Sequence, residues 1–327
     1  MNITLISLDN WGLNTHIVST LQEQGHTVNH IDFNVFKYKY PTVLHKAYNF
    51  ILKAFFKTNL KHLHYGKEII KQLQKNKEIQ DVILTIKGDF IDPKSILEFK
   101  KYTKKSIGFF NDNTYRCPKI KRVLHCFDEV YSFEKDDCTS FDLKFATNWI
   151  YNKEVTFSNQ NDFEYDVFNI SSIDKRLPIL ERIAEELNSK EINFKFIVYD
   201  KKRKPTDGTI TYINKHMPLS EVNEYINRSK VLLDINRIGQ IGLTFRVFES
   251  LGLGKKLITT NSDIKNYDFY NPNNILIIDE KNPVIPVEFF QNEYEKIPDS
   301  IFYKYTMQGW VDNMILKQQT CNNYTVD

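Results

Sequence analysis

Apolar residues follow two periods along the chain, one typical of buried strands and one typical of helices. In the first half, the predicted strands are 2–8, 26–33, 81–88, 106–112 and 129–134. Helices are predicted between them at 14–25, which Gly25 ends, and at 95–104. Strands that alternate with helices predict a parallel, doubly wound sheet.

A second alternating series follows a polar, aperiodic stretch at 151–165. Its predicted strands are 165–171, 193–200, 230–236, 255–261 and 274–279. Its predicted helices are 175–190, 219–229 and 243–253, with a last amphipathic helix at 301–319. We therefore predict an α/β chain of two Rossmann-like domains, residues 1–150 and 151–300. A C-terminal helix and tail, 301–327, should pack back toward the first domain. Two such sheets that face each other would hold a ligand in the cleft between them.

Composition narrows the class of protein. A length of 327 residues suits two domains, and the formal net charge of +3 gives no reason to expect a nucleic-acid partner. No apolar run approaches the roughly 18 residues of a membrane span, and the start, MNITLISLDN, is too polar for a secretory signal. The four cysteines, at 117, 126, 138 and 321, form no CxxC pair, which predicts reduced thiols in the cytoplasm and no metal site.

Polar residues follow three predicted strands or loops of the second domain. They are Ser171, Ser172, Lys175 and Arg176, then Asn236 and Arg237, and then Gly242, Thr244, Arg246 and Glu249, with His216 as a further candidate for the same ligand. Glycines before a helix expose backbone amides, and the helix dipole favours a phosphate there. Arginine and lysine side chains, including Lys255, would add positive charge.

A carboxylate about one turn into the helix, Glu249, could accept two hydrogen bonds from a ribose diol. This set of residues suits a nucleoside diphosphate. The spacing of Arg246 and Glu249 is also that of a common surface ion pair at i, i+3, which is the alternative interpretation.

The segment GLTFRVFESLGLGKKLITTNSDIKNYDFYNPNNILIID (242–279) closely resembles the C-terminal segment of GT-B glycosyltransferases. More narrowly, it resembles group-1-like bacterial proteins of lipopolysaccharide or capsule biosynthesis, which are related to CgeB-type proteins. Further stretches with the same resemblance are 82–88, 127–138, 165–176 and 216–236.

The resemblance implies sugar transfer from a nucleotide-sugar donor to a growing cell-surface glycan, with the nucleotide on the second domain. Glu249 matches the family's ribose-contacting glutamate, which implies that it faces the cleft and not the core. GT-B enzymes usually neutralise the diphosphate without a metal or another cofactor, and the chain contains no DxD sequence. The family pattern of two glutamates is incomplete, because position 242 is glycine.

An inverting transfer would need a general base in the first domain. The candidates are Asp9, Asp112 and His16. Each aspartate could instead be a turn residue, since Asp9 precedes a turn with Gly12 and Asn14, and Asp112 stands within Asn-Asp-Asn. The free amides at the start of the helix that follows this turn could also face an anion or a polar ligand.

A basic segment lies in the first domain. Its ten lysines are Lys37, Lys39, Lys46, Lys53, Lys57, Lys61, Lys67, Lys71, Lys75 and Lys77. Aromatic residues lie between them, and 47–63 has amphipathic helical spacing. This pattern predicts contact with an anionic membrane at its cytoplasmic face, which would suit a lipid-linked glycan acceptor. The alternatives are a solvated basic face and a nucleic-acid groove, although the segment has no recognised nucleic-acid-binding motif.

Two other functions fit the same residues. One is a non-catalytic nucleotide-sugar-binding or scaffold protein of this fold. The other is a nucleotide-sugar epimerase, which would convert the sugar with no acceptor present.

Overall fold

The computed structural model describes residues 1–9, 12–76, 78–151 and 163–316. By its internal contacts the chain divides into two units, Met1–Thr147 with Met307–Asp327, and Asn148–Thr306. The division falls close to the predicted boundary at residue 150. Cys321, Lys77, residues 317–319 of the last predicted helix and most of the polar stretch 151–165 lie outside the described residues.

The first unit is built on a parallel sheet with helices between its strands. The strands are β1 Asn2–Ser7, β2 Thr27–Asp32, β3 Val82–Ile86, β4 Ser106–Phe110, β5 Glu129–Ser132 and β6 Lys144–Phe145. The helices are α1 Thr15–Glu23, α2 Val43–Phe56, α3 Leu60–Leu73, α4 Pro93–Phe99 and α5 Lys135–Phe141. The described strands pair in the order β2-β1-β3-β4-β5-β6. Every residue of β3 and β4 is buried, as expected for parallel strands covered on both faces.

The second unit repeats this architecture. Its strands are β7 Tyr165–Ser172, β8 Phe194–Tyr199, β9 Thr211–Ile213, β10 Ser229–Asp234, β11 Lys256–Thr259 and β12 Ile275–Ile277. Its helices are α6 Leu177–Ser189, α7 Leu219–Asn227, α8 Phe245–Gly252, α9 Glu288–Gln291 and α10 Asp299–Tyr305. The described strands pair in the order β12-β11-β10-β7-β8-β9. The strand order therefore reverses between β7 and β10, as in the Rossmann fold.

The chain after α10 belongs to the first unit. It forms α11 Met307–Val311 and a π-helical turn, Asp312–Leu316. The indole nitrogen of Trp310 donates to the carbonyl of Thr147 at 2.8 Å, and its ring meets Phe109 edge-on at 5.3 Å. Gln24 donates to Asp312 at 2.9 Å. These contacts hold α11 to the end of the first sheet and to α1.

Two predicted helices are interrupted. The amphipathic segment 47–63 spans the end of α2 and the start of α3, because Lys57 is left-handed (φ 51°) and Asn59 caps α3 by accepting from the amide of Lys61 at 3.1 Å. The last predicted helix is broken at Thr306. The pattern also missed the short elements β6, β9, α5 and α9, which have too few residues to show a period.

Close packing fixes the C-terminal end of α8. A Cβ atom added at Gly252 would lie 2.4 Å from the Cγ2 methyl of Ile150. Both residues belong to the second unit, and Ile150 is 4% exposed in the core that includes Phe248 and Leu251. The glycine is therefore required by contact with the core.

We expect Gly252→Ala to lower the free energy of unfolding by about 1–3 kcal/mol, because the methyl group forces this packing apart. Chemical denaturation would measure it. Gly208→Ala is the matched control, since nothing lies within 4 Å of a Cβ there. The double variant Ile150→Ala/Gly252→Ala should lose less than the sum of its single changes. A Gly252→Ala protein as stable as the control would contradict the packing argument.

Candidate functional site

Arg176 lies where the strand order of the second unit reverses. Its Nε and Nη2 atoms donate to the Asp174 carboxylate at 2.9 and 2.8 Å, and its Nη1 donates to the carbonyl of Ile235 at 2.9 Å. Burial by itself would raise the pKa of Asp174, but the bonds from Arg176 outweigh burial and hold that pKa below its usual value. The arginine thus links the loop after β7 to the end of β10.

A small depression surrounds this arginine. It is lined by Asn169, Ser171, Ser172, Ile173, Asp174, Arg176, Leu177, Leu180, Val198 and Ile235. It lies at the carboxyl ends of β7 and β10, where open α/β sheets bind ligands. The structure therefore brings the predicted residues Ser171, Ser172 and Arg176 together.

The start of α8 is tied to the end of β10. The hydroxyl of Thr244 donates to Asp234 at 2.8 Å, and the same oxygen accepts from the amide of Arg246 at 3.2 Å, which caps the helix. Asp234 is 5% exposed, and burial raises its pKa even though Thr244 and Thr259 donate to it. Thr244 is thus an N-cap as well as a predicted site residue.

Side-chain amides hold the loop that leads into α8. Asn236 donates to the carbonyl of Gln240, and Gln240 donates to the carbonyl of Gly242 at 3.0 Å. Asn261, which follows β11, donates to the carbonyl of Ile241 at 2.9 Å. The sequence pattern indicated Asn236 and Gly242 but neither Asn261 nor Gln240. A polar residue directly after a strand was the signal for Asn261.

Glu249 is less open than the resemblance implies. It is 6% exposed, and its two oxygens accept hydrogen bonds from Tyr151 and Arg246. The predicted i, i+3 pair therefore forms, but it is almost buried and not on the surface. Burial, and then the charge of Glu249, raise the pKa of Tyr151, so that its hydroxyl remains a donor. Reasoning from the sequence missed Tyr151, which is distant along the chain.

Two other predicted residues of this unit have separate places. The ring of His216, which is exposed, stacks on Tyr199 at the end of β8, with centroids 4.0 Å apart. Lys255 lies at the opposite end of the sheet from Thr244, where its ammonium donates to the carbonyls of Asn227 and Ser229, beside the start of β10. The expectation that Lys255 adds charge at the phosphate site is therefore wrong. Burial lowers the pKa of Lys255 to about 8.

In the first unit, Asp9 organises the turn before α1. Its carboxylate accepts from the amides of Gly12 and Asn14 at 2.7 and 3.0 Å. These two amides precede the first turn of α1, whose amides are the ones predicted to face an anion. His16 lies half-buried in the first turn of α1.

Asp112 follows β4 and is paired. It contacts Arg116 at 2.8 Å and Lys87, after β3, at 3.5 Å. Asp89, also after β3, was missed, although a polar residue at a strand end is the signal that identified Asp112. Asp89 is 7% exposed; burial, reinforced by the charge of Asp112, raises its pKa to about 6.

The described part of the chain shows neither a disulfide nor a group of metal ligands. Within residues 1–9, 12–76, 78–151 and 163–316, no three His, Cys, Asp or Glu side chains are grouped to hold a metal. Cys117, Cys126 and Cys138 are not in disulfides.

The fold matches solved glycosyltransferase structures along its whole length. AviGT4, a glycosyltransferase involved in avilamycin A biosynthesis, superposes with a TM-score of 0.57 at 10% identity, covering 99% of each chain. A UDP-forming trehalose-phosphate synthase from Burkholderia xenovorans gives 0.57 at 10% identity, covering 100% of each. Anabaena Alr3699/HepE, solved with UDP and glucose, gives 0.52 at 7% identity, covering 100% of each.

No protein-family model and no curated protein matches the sequence. The structural likeness is therefore one of fold. The chain has the α/β fold of GT-B glycosyltransferases, with two Rossmann-like units, and this part of the prediction is confirmed.

We expect Asp89→Asn to stabilise the protein at neutral pH. A raised folded pKa means that the contribution of Asp89 to stability is fully present below pH 3.8 and is lost as the pH rises through about 6. Relative to wild type, the variant should therefore gain up to about 3 kcal/mol between pH 4 and pH 7. Denaturant unfolding at several pH values measures this gain, and a difference between the proteins that does not change with pH would contradict it.

Proposed function

We propose that the chain is a glycosyltransferase that moves a sugar from a nucleotide-sugar donor to a growing cell-surface glycan, such as lipopolysaccharide core, O-antigen or capsule. The observation that carries the proposal is the position of Arg176, Thr244 and the Arg246–Glu249 pair. They lie at the carboxyl ends of β7 and β10 and on the helix that follows, in a fold shared with glycosyltransferases. The transfer would need no metal and no other cofactor.

In this proposal, the second unit binds the nucleotide. The amino end of α8 faces the diphosphate, and Arg176 and Arg246 neutralise the charge that grows on it as it leaves. Glu249 accepts from the ribose hydroxyls. A carboxylate has about four lone-pair positions, so Glu249 can take a ribose hydroxyl while it keeps Tyr151. Arg246 would then turn from Glu249 toward the diphosphate.

The end of β8 and the loop after β9 form a further part of the donor site. The stacked rings of Tyr199 and His216 offer a flat surface, which suits a nucleobase. Ser171, Asn236 and Gly242 would contact the donor through hydroxyl, amide and backbone groups.

The first unit would supply the general base. Asp112, at the carboxyl end of β4, is the best placed of Asp9, Asp112 and His16, because Asp9 is taken up by its own turn. The base takes the proton of the acceptor hydroxyl while the oxygen attacks the anomeric carbon, and the nucleoside diphosphate leaves with the bonding electron pair.

One observation favours a second function, a non-catalytic nucleotide-sugar-binding protein of the same fold. The charged groups of the second unit are already matched within it: Arg176 by Asp174, and Arg246 by Glu249. Such a protein would bind the nucleotide sugar, and the addition of a glycan acceptor would not release the nucleotide. An epimerase has no specific observation in its favour.

We expect one of UDP, GDP, CDP, CMP or dTDP to raise the melting temperature, with or without magnesium, because a ligand of the folded state stabilises it by mass action.

Glu249→Gln keeps the shape of the side chain and should weaken binding by about tenfold, through the loss of charge-assisted hydrogen bonds. Titration calorimetry measures the affinity.

The control for this experiment is Glu224→Gln, an exposed carboxyl on α7. No binding of any of the five nucleotides, or equal affinity in both variants, would overturn the donor site. Release of nucleotide from labelled nucleotide sugars on addition of glycan acceptor would separate the transferase from the binding protein.

Helix α2 supports a membrane contact. Of its fourteen residues only Asn49 is buried, and that side chain anchors the helix by accepting from the amide of Leu60 at 2.9 Å. Large apolar side chains are exposed along the rest of it, namely Val43, Leu44, Tyr48, Phe50, Ile51, Phe55 and Phe56. Leu44, Tyr48, Ile51 and Phe55 are spaced to form one stripe, and Lys46 and Lys53 lie away from it.

We propose that this stripe inserts into the anionic inner face of the cytoplasmic membrane, with the lysines at the headgroups. The partner is a lipid surface because the apolar residues are flanked by positive charge. No helix in the described part of the chain has the length and apolarity to cross a membrane. The lipid end of a lipid-linked acceptor would then lie beside the first unit.

We expect the protein to sediment with vesicles of phosphatidylcholine and phosphatidylglycerol, and less strongly at high salt, because exposed charges are screened. Leu44→Ser/Phe55→Ser should weaken this binding by about tenfold or more, through the loss of buried apolar area from the stripe. The control is Tyr115→Ser, an aromatic residue of the same unit that is 77% exposed. Equal vesicle binding by the two variants would contradict the proposal.

A further inference from the structure

A basic pocket lies in the first unit, between the start of α3 and the loops after β3 and β4. It is lined by Lys57, Asn59, His62, Asp89, Ile91, Asp92, Pro93, Lys119, Arg122 and Val123. The site proposed above for the nucleotide is in the second unit, so this pocket has no part in it. We call it the Lys119 pocket.

The three cations of the Lys119 pocket are unmatched. The side chains of Lys57, Lys119 and Arg122 form no hydrogen bond or ion pair with the residues that the structure describes. Other lysines of the same unit are paired, such as Lys100 with Asp128 at 2.6 Å and Lys104 with Asp81 at 2.7 Å. Cations that converge without a partner are typical of an anion site.

The surroundings of His62 show that this positive field reaches into the pocket. Burial is the main reason that the pKa of His62 falls to about 4, and the charges of Lys119 and Arg122 lower it further. The amino end of the fourteen-residue helix α3 adds its dipole. Its first amides are capped by Asn49 and Asn59, at 2.9 and 3.1 Å, so the side chains would bind the ligand.

Asp89 is the second, independent observation. It is 93% buried in the wall of the pocket, and no other described residue donates a hydrogen bond to its carboxylate or pairs with it. Asp92, by contrast, caps α4 by accepting from the amide of Ser95 at 3.3 Å. The backbone amide of Asp89 and the charges of Lys87 and Lys119 act on the Asp89 carboxylate, and a donor group of a ligand would add a hydrogen bond from outside the residue. A ligand hydroxyl is the natural partner, because it donates one hydrogen bond.

We propose that the Lys119 pocket binds the phosphate of a phosphorylated sugar acceptor, with Lys57, Lys119 and Arg122 on the phosphate and Asp89 accepting from a hydroxyl of the sugar. The inference rests on the proposed function, because it names the chemical class of the acceptor. The phosphate could belong to a soluble sugar phosphate or to a lipid-linked one. Lys57 ends α2, so either source can reach the pocket while α2 lies on a membrane.

The test measures binding of glucose 1-phosphate, glucose and inorganic phosphate by titration calorimetry. We expect glucose 1-phosphate to bind more tightly than either other probe. Lys119→Ala/Arg122→Ala should weaken it by about tenfold or more, since two charge-assisted contacts are lost. The matched control, Lys100→Ala/Lys104→Ala, removes two paired cations of the same unit and should bind as wild type does.

Asp89→Asn tests the hydroxyl contact separately. The preference for glucose 1-phosphate over inorganic phosphate should fall several-fold, whereas affinity for inorganic phosphate should stay or rise as a negative charge is removed. Equal binding by the pocket variant and the control variant would overturn the proposal. It would also be overturned if the wild-type protein bound neither glucose 1-phosphate nor vesicles that contain a glucosyl lipid phosphate. Binding of those vesicles alone, lost in Lys119→Ala/Arg122→Ala, would assign the phosphate to a lipid.

The same proteins separate this inference from the proposed function. Lys119→Ala/Arg122→Ala should leave nucleotide binding unchanged, because the pocket and Glu249 are in different units. Nucleotide binding without sugar-phosphate binding would reject the pocket alone. Sugar-phosphate binding without nucleotide binding would reject the donor site alone.

Discussion

The hydrogen bond from Thr244 to Asp234, 2.8 Å long, fixes the geometry of the second unit's site. Asp234 is buried at the end of β10, where a carboxyl with no donor would be costly, so the hydroxyls of Thr244 and Thr259 are required. This contact joins the start of α8 to the sheet. At the other end of α8, Gly252 rests against Ile150. With both ends held, Arg246 and Glu249 have set positions on the helix.

The two units differ in how their charges are matched. In the second unit, Arg176 has Asp174 and Arg246 has Glu249, so a bound anion would have to take an arginine from its carboxylate. In the first unit, Lys57, Lys119 and Arg122 surround a pocket and are unmatched among the described residues. Matched charges keep a site ordered without ligand, whereas unmatched ones give a stronger field for an incoming anion.

Helix α2 is the clearest departure from ordinary packing. A helix of a globular protein usually buries its apolar face, but here the one buried side chain is the polar Asn49. Asn49 contacts Asn59 and the amide of Leu60, and so fixes the turn that joins α2 to α3. The same turn carries Lys57 to the edge of the Lys119 pocket. One buried amide thus sets the position of both the apolar stripe and the pocket.

The sequence by itself determined the α/β class, the two units and the central strands, because β1, β3, β4, β7 and β10 are apolar runs long enough to show their period. It also indicated Arg176, Thr244 and Asn236. Polar residues that follow neighbouring parallel strands lie at the same edge of the sheet, where ligands bind. Only the tertiary structure showed that Tyr151 donates to Glu249, that Lys255 lies at the other end of its sheet, and that Asp89 is buried near the charges of Lys87 and Lys119. Burial and pairing between distant segments depend on how elements pack, and a local pattern of residues does not contain that information.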